Sequence, residues 1–427
     1  MNKTSDNLSD PRALLRTWFD DAVNAADPML CLPDFLPDVP QNGRTVVIGA
    51  GKGSAAMARA FEANWNGPVS GLVVTRYGFS QTCDHIEIIE ARHPVPDQAG
   101  LEAAKRILAL ATSLGPGDLC VALISGGASA LLTLPAPGIE FADKTEVNRQ
   151  LLASGAPISD INTVRKHLSA IKGGKLANAV MPARLHTLLI SDIPGDNPAM
   201  VGSGPTVFDE TTVHDAVGIL NKFNIDPGKR IRRYLNQEMI KEASLIKKND
   251  DRITTQMIAT PKDSIDAAAK SAMEAGITPI ILGDDIEGEA RDLGKEHARL
   301  AKSLQSDGQH KPPFVLLSGG ECTVTLKSGG AGGPNGEYAL AAAIELGGTD
   351  GIYVLACDTD GIDGSEDNAG AFAVPDTLLR AQSLAMNATE YLTANNSYGF
   401  FQKLDDLLIT GPTLTNVNDF RAVLVLS

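Results

Sequence analysis

The chain has 427 residues, 43% hydrophobic and 21% charged, with a formal net charge of −15 at pH 7. That length exceeds what one hydrophobic core usually serves and predicts two domains, while so acidic a balance excludes nucleic acid and anionic membrane surfaces as general partners and leaves a small molecule as the expected ligand. Five cysteines, at 31, 83, 120, 322 and 357, form an odd set without CxxC spacing, which excludes a disulfide framework and a zinc site; with no leader-type run and no apolar stretch of spanning length, a cytoplasmic protein is expected.

In chain order, "TVVIGA", "GLVVTR", "IEIIEA", "LCVALISGG" and "HTLLISDIPGD" are short runs apolar on both faces, alternating with helical segments. They predict parallel strands covered by helices, an α/β first half. The first run ends in Gly49-Ala50-Gly51-Lys52-Gly53-Ser54 and opens a helix. Ser54 replaces the third glycine of a dinucleotide fingerprint, and the next strand ends in Thr75 and Arg76 rather than an acid, which weakens an NAD site and leaves an NADP site open. A Walker loop is excluded, because Gly53 separates Lys52 from Ser54. What the residues support is anion binding at a helix N-terminus beside a lysine, weighed against a plain packing turn.

"SGGASALL" repeats the arrangement at another strand end, with Ser125, Gly126, Gly127 and Ser129 as donors. In "NTVRKHLSAIKGGKLANAV", Arg165, Lys172 and Lys175 recur at steps of seven and three, which places them along one helical stripe until Gly173-Gly174 interrupts it, a basic stripe for a phosphate or carboxylate weighed against a solvated charged face. His167 has no sequence partner and reads as structural. "LLISDIPGDNPAMVGSGPT" sets Asp192 at a strand end before Gly202, Ser203 and Gly204, hard oxygen ligands suited to Mg²⁺ and phosphate.

Polar "KEASLIKKNDDR", Lys241 to Arg252, is the predicted linker, giving domains 1–245 and 246–427. After it come "ITTQMIAT", "TPIILGDD", "PFVLLSGGECTVTL", "GIYVLACDTDGIDG" and "FRAVLVLS". The polar–apolar alternation of "ECTVTL" predicts an antiparallel strand and so a mixed second sheet. Asp358 and Asp360 end a strand in a glycine-rich acidic loop that lacks EF-hand register, and no GxSxG elbow supports a Ser-His-Asp triad.

Together, "GAGKGSAAMA", "HPVPD", "LISGGASALL", "INTVRKHLSAIKGGKLA", "LLISDIPGDNPAMVGSGPT", "LLSGGECTVTL", "DTDGIDG", "NNSYGFF" and "TGPTLTNVNDFR" resemble, over nearly the whole chain, the glycerate 2-kinase family, whose members were often labelled hydroxypyruvate reductases. The resemblance implies a Rossmann-like parallel-sheet N-terminal domain, a smaller α/β C-terminal domain, an active site between them, and ATP-dependent, Mg²⁺-assisted phosphorylation of D-glycerate at its 2-hydroxyl. It also implies that Lys52 is catalytic, that Asp192, with Glu321 or Asp360, holds Mg²⁺ or orients the hydroxyl, and that the glycine turns with Lys172 and Lys175 hold nucleotide. Arg165, Asn335 and Glu337 are then the expected substrate contacts, and a homodimer is left open. Where the family commonly reads Gly-Gly-Arg-Asn this chain has Gly332-Gly333-Pro334-Asn335, so the family's arginine has no counterpart; Asn396 stands where aspartate is frequent. The rival readings are an NAD(P)H-dependent reductase of hydroxypyruvate or tartronate semialdehyde, and a kinase of a related small sugar acid.

Overall fold

The computed structural model describes residues 10–240 and 248–427. The chain forms two compact units, Cys31–Ile258 and a second made of Ala259–Ser427 together with the stretch up to Leu30.

The first unit is built on β1 (Thr45–Ala50), β2 (Val69–Arg76), β3 (Ile86–Ala91), β4 (Leu119–Ile124), β5 (Arg184–Ile190) and β6 (Ile253–Ala259), in the order β3-β2-β1-β4-β5-β6. β1 through β5 pair in parallel. Every residue of β1 and β4 is buried, as expected for central strands covered on both faces. The helices Ser54–Asn64 and Gln98–Thr112 supply cover; Asp97 caps the second through the amide of Gly100. Val46, Ile48, Leu72, Ile107, Cys120 and Leu185 meet in its core. A helical lobe, Phe141–Ala153, Ile158–His167, Val213–Lys222 and Gly228–Ile240, closes over Val147, Leu151, Val164, Leu220 and Ile231.

The second unit contains β7 (Thr278–Gly283), β8 (Gly288–Glu289), β9 (Phe314–Ser318), β10 (Cys322–Thr323), β11 (Ile352–Asp358), β12 (Gly370–Ala373), β13 (Leu407–Leu408) and β14 (Asp419–Val425). Six of them form a sheet in the order β13-β12-β11-β14-β9-β7, parallel only between β7 and β9. The sheet is mixed, but not because of "ECTVTL": only Cys322–Thr323 pairs there, in parallel with β8. The antiparallel pairing runs instead through β13, β12, β11, β14 and β9.

The boundary expected at 245/246 falls outside the described residues. "ITTQMIAT", assigned to the second domain by sequence, is β6 of the first sheet, where Leu185 N–H donates to Arg252 O at 2.8 Å. The amphipathic helix Pro11–Ala25 joins the second unit instead, because its face of Leu15, Trp18, Phe19 and Ala22 packs on Ile265, Ala268, Phe420 and Leu424.

Candidate functional site

β1 and β4 end side by side where the strand order reverses, the crevice in which open α/β sheets hold ligands. Gly49 lies inside β1, and the chain leaving it folds over the chain leaving β4. The amides of Gly51, Lys52, Gly53 and Ser54 donate to Val74 O (3.1 Å), Gly126 O (2.8 Å), Ser125 Oγ (2.9 Å) and Gly51 O (3.3 Å). Gly51 has φ +142°, and a Cβ on it would stand 2.1 Å from Ser125 Oγ, so only glycine passes here. Ser54, fully buried, donates to Leu123 O at 3.0 Å. Gly51, Gly53, Ser54 and Ser125, expected to touch a cofactor, thus use these donors to join two strand ends. What the turn presents is the half-buried Lys52, whose Cγ is 3.2 Å from the Cβ position of Gly127, which His93 flanks from the other side at 3.1 Å.

The second turn gathers the remaining motifs of the first unit. Ser129 Oγ shares a 2.9 Å hydrogen bond with Ser203 Oγ, and Ser203 donates to Asn162 Oδ1 at 3.4 Å. Arg165 donates from Nε to Asn148 Oδ1 at 2.6 Å and from its terminal nitrogen to Asn162 Oδ1 at 3.4 Å. Lys172, 2% exposed, donates from Nζ to Ser129 O at 2.9 Å and Gly202 O at 3.1 Å. Of these groups Ser129, Asn148, Arg165 and Lys172 line a cavity of about 240 Å³, walled also by His93, Gly127, Lys144 and the apolar side chains of Phe141, Val147 and Leu151.

The basic stripe breaks earlier than the Gly173-Gly174 interruption read from the sequence: the helix Ile158–His167 that carries Arg165 ends with its cap at Leu168, Lys172 lies in the turn that follows, and Lys175 opens Lys175–Val180 after Gly173 and Gly174, whose φ are +60° and +74°. Lys175 spends Nζ on Lys166 O (2.6 Å) and Ser169 O (2.7 Å). Likewise the amides of Ser203 and Gly204 donate to Met200 O and Val201 O at 2.9 Å each, so the expected phosphate loop is closed on itself. His167 is structural, hydrogen-bonded to Thr211 Oγ1 at 3.1 Å, and burial holds it down at about 4.

Asp192 is half-buried at the end of β5, and Glu321 is exposed. Asp360 is 1% exposed and accepts from the Ile362 amide at 2.9 Å, which makes it the closure of its own turn. Among the described residues no group of three His, Cys, Asp or Glu side chains is gathered as a metal set.

In the second unit the expected substrate contacts face inward. Glu337, 2% exposed, is held by Arg291 at 2.7 Å and by Asn395 Nδ2 at 2.9 Å. Asn335, fully buried, donates to Asp419 Oδ1 at 2.6 Å, and Asp419 in turn accepts from Arg421 at 2.8 Å. Pro334 is the first residue of the helix Pro334–Leu346, where a missing N–H costs nothing. The Asn335 and Gly336 amides donate to Asp363 at 2.9 and 2.8 Å; burial nevertheless pushes this carboxyl up to about 7. Asn396 caps the helix Ser397–Leu404 through the Gly399 amide at 3.3 Å, a task asparagine and aspartate share.

Sequence reasoning missed Lys144. It is 8% exposed, and its Nζ has no hydrogen-bond partner among the described residues. The signal was present: at steps of three, Phe141, Lys144 and Val147 lie on one stripe of the helix Phe141–Ala153, so a lysine occupies the apolar face. Burial, then the charges of Lys175 and Arg165, push its ammonium down to about 7.

Residues 14–236 match the family described as a domain of unknown function, DUF4147, and residues 314–419 match the MOFRL family. A protein of Agrobacterium vitis named "Putative hydroxypyruvate reductase" is 49% identical over 97% of this chain and 94% of its own. The D-glycerate 2-kinase of Thermotoga maritima is 36% identical over 93% of this chain and 94% of its own. Among solved structures, a glycerate kinase from Thermotoga maritima matches with a TM-score of 0.87 at 34% identity, covering 97% of this chain and 99% of that one.

Proposed function

The chain belongs to the two-domain glycerate 2-kinase family, and from that premise we propose that it transfers a phosphoryl group from ATP to the 2-hydroxyl of D-glycerate, giving 2-phosphoglycerate. The observation that carries the choice between transferase and reductase is the fate of the first glycine turn. Its amides from Gly51 to Ser54 are spent on protein acceptors, so it offers no cradle for the pyrophosphate of a nicotinamide dinucleotide. Arg76, which kept an NADP reading open, lies over the Phe79 ring at 5.2 Å.

Phosphoryl transfer asks the protein mainly for positioning and for charge opposite the moving group. Lys52 supplies that charge: its backbone is fixed at both the amide and the carbonyl, which accepts from Thr75 Oγ1 at 3.2 Å, and only its side chain projects. The Gly126–Ser129 turn beside it is our candidate for the nucleotide phosphates. Asp192 is our candidate to orient the attacking hydroxyl and to hold Mg²⁺. A nucleotide-bound Mg²⁺ needs one or two carboxylates besides phosphate oxygens, which suits a chain without a three-ligand cluster among its described residues. When bound, Mg²⁺ neutralises charge on the phosphates.

The test is ADP release from ATP, Mg²⁺ and D-glycerate, with NAD(P)H oxidation on hydroxypyruvate run in parallel. Lys52→Ala is expected to lower kcat by about 10²–10³-fold with an unchanged melting temperature. NAD(P)H oxidation without ADP release overturns the kinase. Pro334 supports a second reading, a related small hydroxy acid as acceptor, and ADP release with such an acid alone would establish it.

A further inference from the structure

We infer that the cavity walled by Lys144, Arg165 and Lys172 seats the carboxylate of the acceptor acid, with Lys144 as a direct binding residue. The inference rests on the kinase reading for the identity of that acid, and on independent geometry for the site.

Three basic side chains border about 240 Å³ of space, and among the described residues no Asp or Glu lines it. Two of them have neutral partners: Arg165 meets the carboxamides of Asn148 and Asn162, and Lys172 meets backbone carbonyls. Among the described residues Lys144 Nζ has no hydrogen-bond partner, and it is shielded from solvent. An ammonium in that position is strongly disfavoured unless a counter-charge arrives. Nothing in its own helix requires the cost, since Phe141, Val147 and Leu151 provide the packing. The empty quadrant before Lys144 is therefore shaped for an anion supplied from outside.

Size and lining select the class. Pockets for drug-sized ligands run from roughly 300 Å³ upward, so this one accommodates a three- or four-carbon acid and not a nucleotide. Its apolar floor favours a small organic acid over a bare inorganic ion. Gly127 and His93 line it, and Lys52 Cγ lies 3.2 Å from the Cβ position of Gly127, so the cavity wall adjoins the proposed transfer group.

Calorimetric titration of the full-length protein with D-glycerate, without nucleotide, tests this, with inorganic phosphate as a second probe. Around Lys144 stand Arg165, Lys172, Lys175 and, on the cavity rim, His93; a carboxylate entering among them raises the affinity of Lys144 for its proton. Binding near pH 7.5 is thus expected to take up a fraction of a proton, read from heats in buffers of different ionisation enthalpy. Lys144→Met is expected to reduce the uptake, the remainder falling to Lys172, whose ammonium burial likewise holds below the usual lysine range, and to weaken D-glycerate about tenfold or more, the equivalent of one charge-assisted contact. Lys144→Arg should retain most of the affinity, and a melting temperature at or above that of the parent shows Lys144→Met to be folded. In turnover, KM for the acid rises while KM for ATP stays within about twofold. The inference is overturned if the parent protein binds neither probe, if Lys144→Met binds D-glycerate unchanged, or if only KM for ATP moves. Binding that depends on Lys144 in a protein that releases no ADP would sink the kinase and keep the site; ADP release indifferent to Lys144 would do the reverse.

Discussion

At Ser125 one hydroxyl decides how a glycine-rich turn is read. Its oxygen accepts the Gly53 amide at 2.9 Å and stands 3.3 Å from Ser54 Oγ, so a segment rich in donors turns out to be stitched to its neighbour. Donors at a strand end look alike in sequence whether they point at a ligand or at the adjacent strand. Lys144 shows the converse, a cation hidden on an apolar stripe. Its titration gives a stability prediction with a definite sign. The folded chain loses this proton near pH 7, whereas the unfolded chain keeps it to about 10.5. Between those values the unfolded state binds more protons, so the parent gains stability as pH rises relative to a chain lacking the group. Lys144→Met should therefore melt higher than the parent by an amount equivalent to about 1–4 kcal/mol at pH 6–7, with the gap closing toward pH 10. A gap that widens with pH in thermal melts would show that Lys144 is not buried as a charge.

Among elements, the helix Ile158–His167 carries the cavity's arginine, and its anchor is a buried ion pair. Lys166 Nζ meets Asp209 Oδ1 at 3.1 Å, and the same oxygen accepts from the Thr211 amide at 3.1 Å and hydroxyl at 2.9 Å. Removing one partner of such a pair leaves an uncompensated charge, so Asp209→Ala is expected to cost about 3–5 kcal/mol by denaturant titration; a loss under 1 kcal/mol would refute the anchoring role. This pair was not legible in sequence, since 43 positions separate its members. Elements themselves were: the doubly apolar runs of β1, β4 and β5 announced parallel strands. The seven-and-three spacing of Arg165, Lys172 and Lys175 placed the break at Gly173-Gly174, but the helix already ends at His167, so Lys172 lies in a turn before the glycines. Even so, three of those motifs meet at Ser129, so their shared location was anticipated better than their individual contacts.

For the whole molecule, the sequence separates the units poorly because the chain passes between them twice, after Leu30 and after Ile258, while composition marks only the polar stretch at 241–252. The two tryptophans provide a test. Trp18, 1% exposed, belongs to the core shared by the first helix and the second unit, whereas Trp65 stacks on Phe61 in the first unit with ring centroids 4.9 Å apart. In a Trp65→Phe protein fluorescence reports the second unit, and in a Trp18→Phe protein the first. Asp209→Ala should lower the unfolding midpoint seen by Trp65 and leave that seen by Trp18 in place. Phe19→Ala, which removes a buried ring edge-on to Phe420 at 5.9 Å and costs about 3–5 kcal/mol, should lower the midpoint seen by Trp18 alone. If Phe19→Ala instead shifted only the Trp65 signal, the first helix would belong with the unit that follows it in sequence, and the division drawn at Leu30 would be wrong; equal shifts at both tryptophans would mean that the two units unfold as one cooperative body.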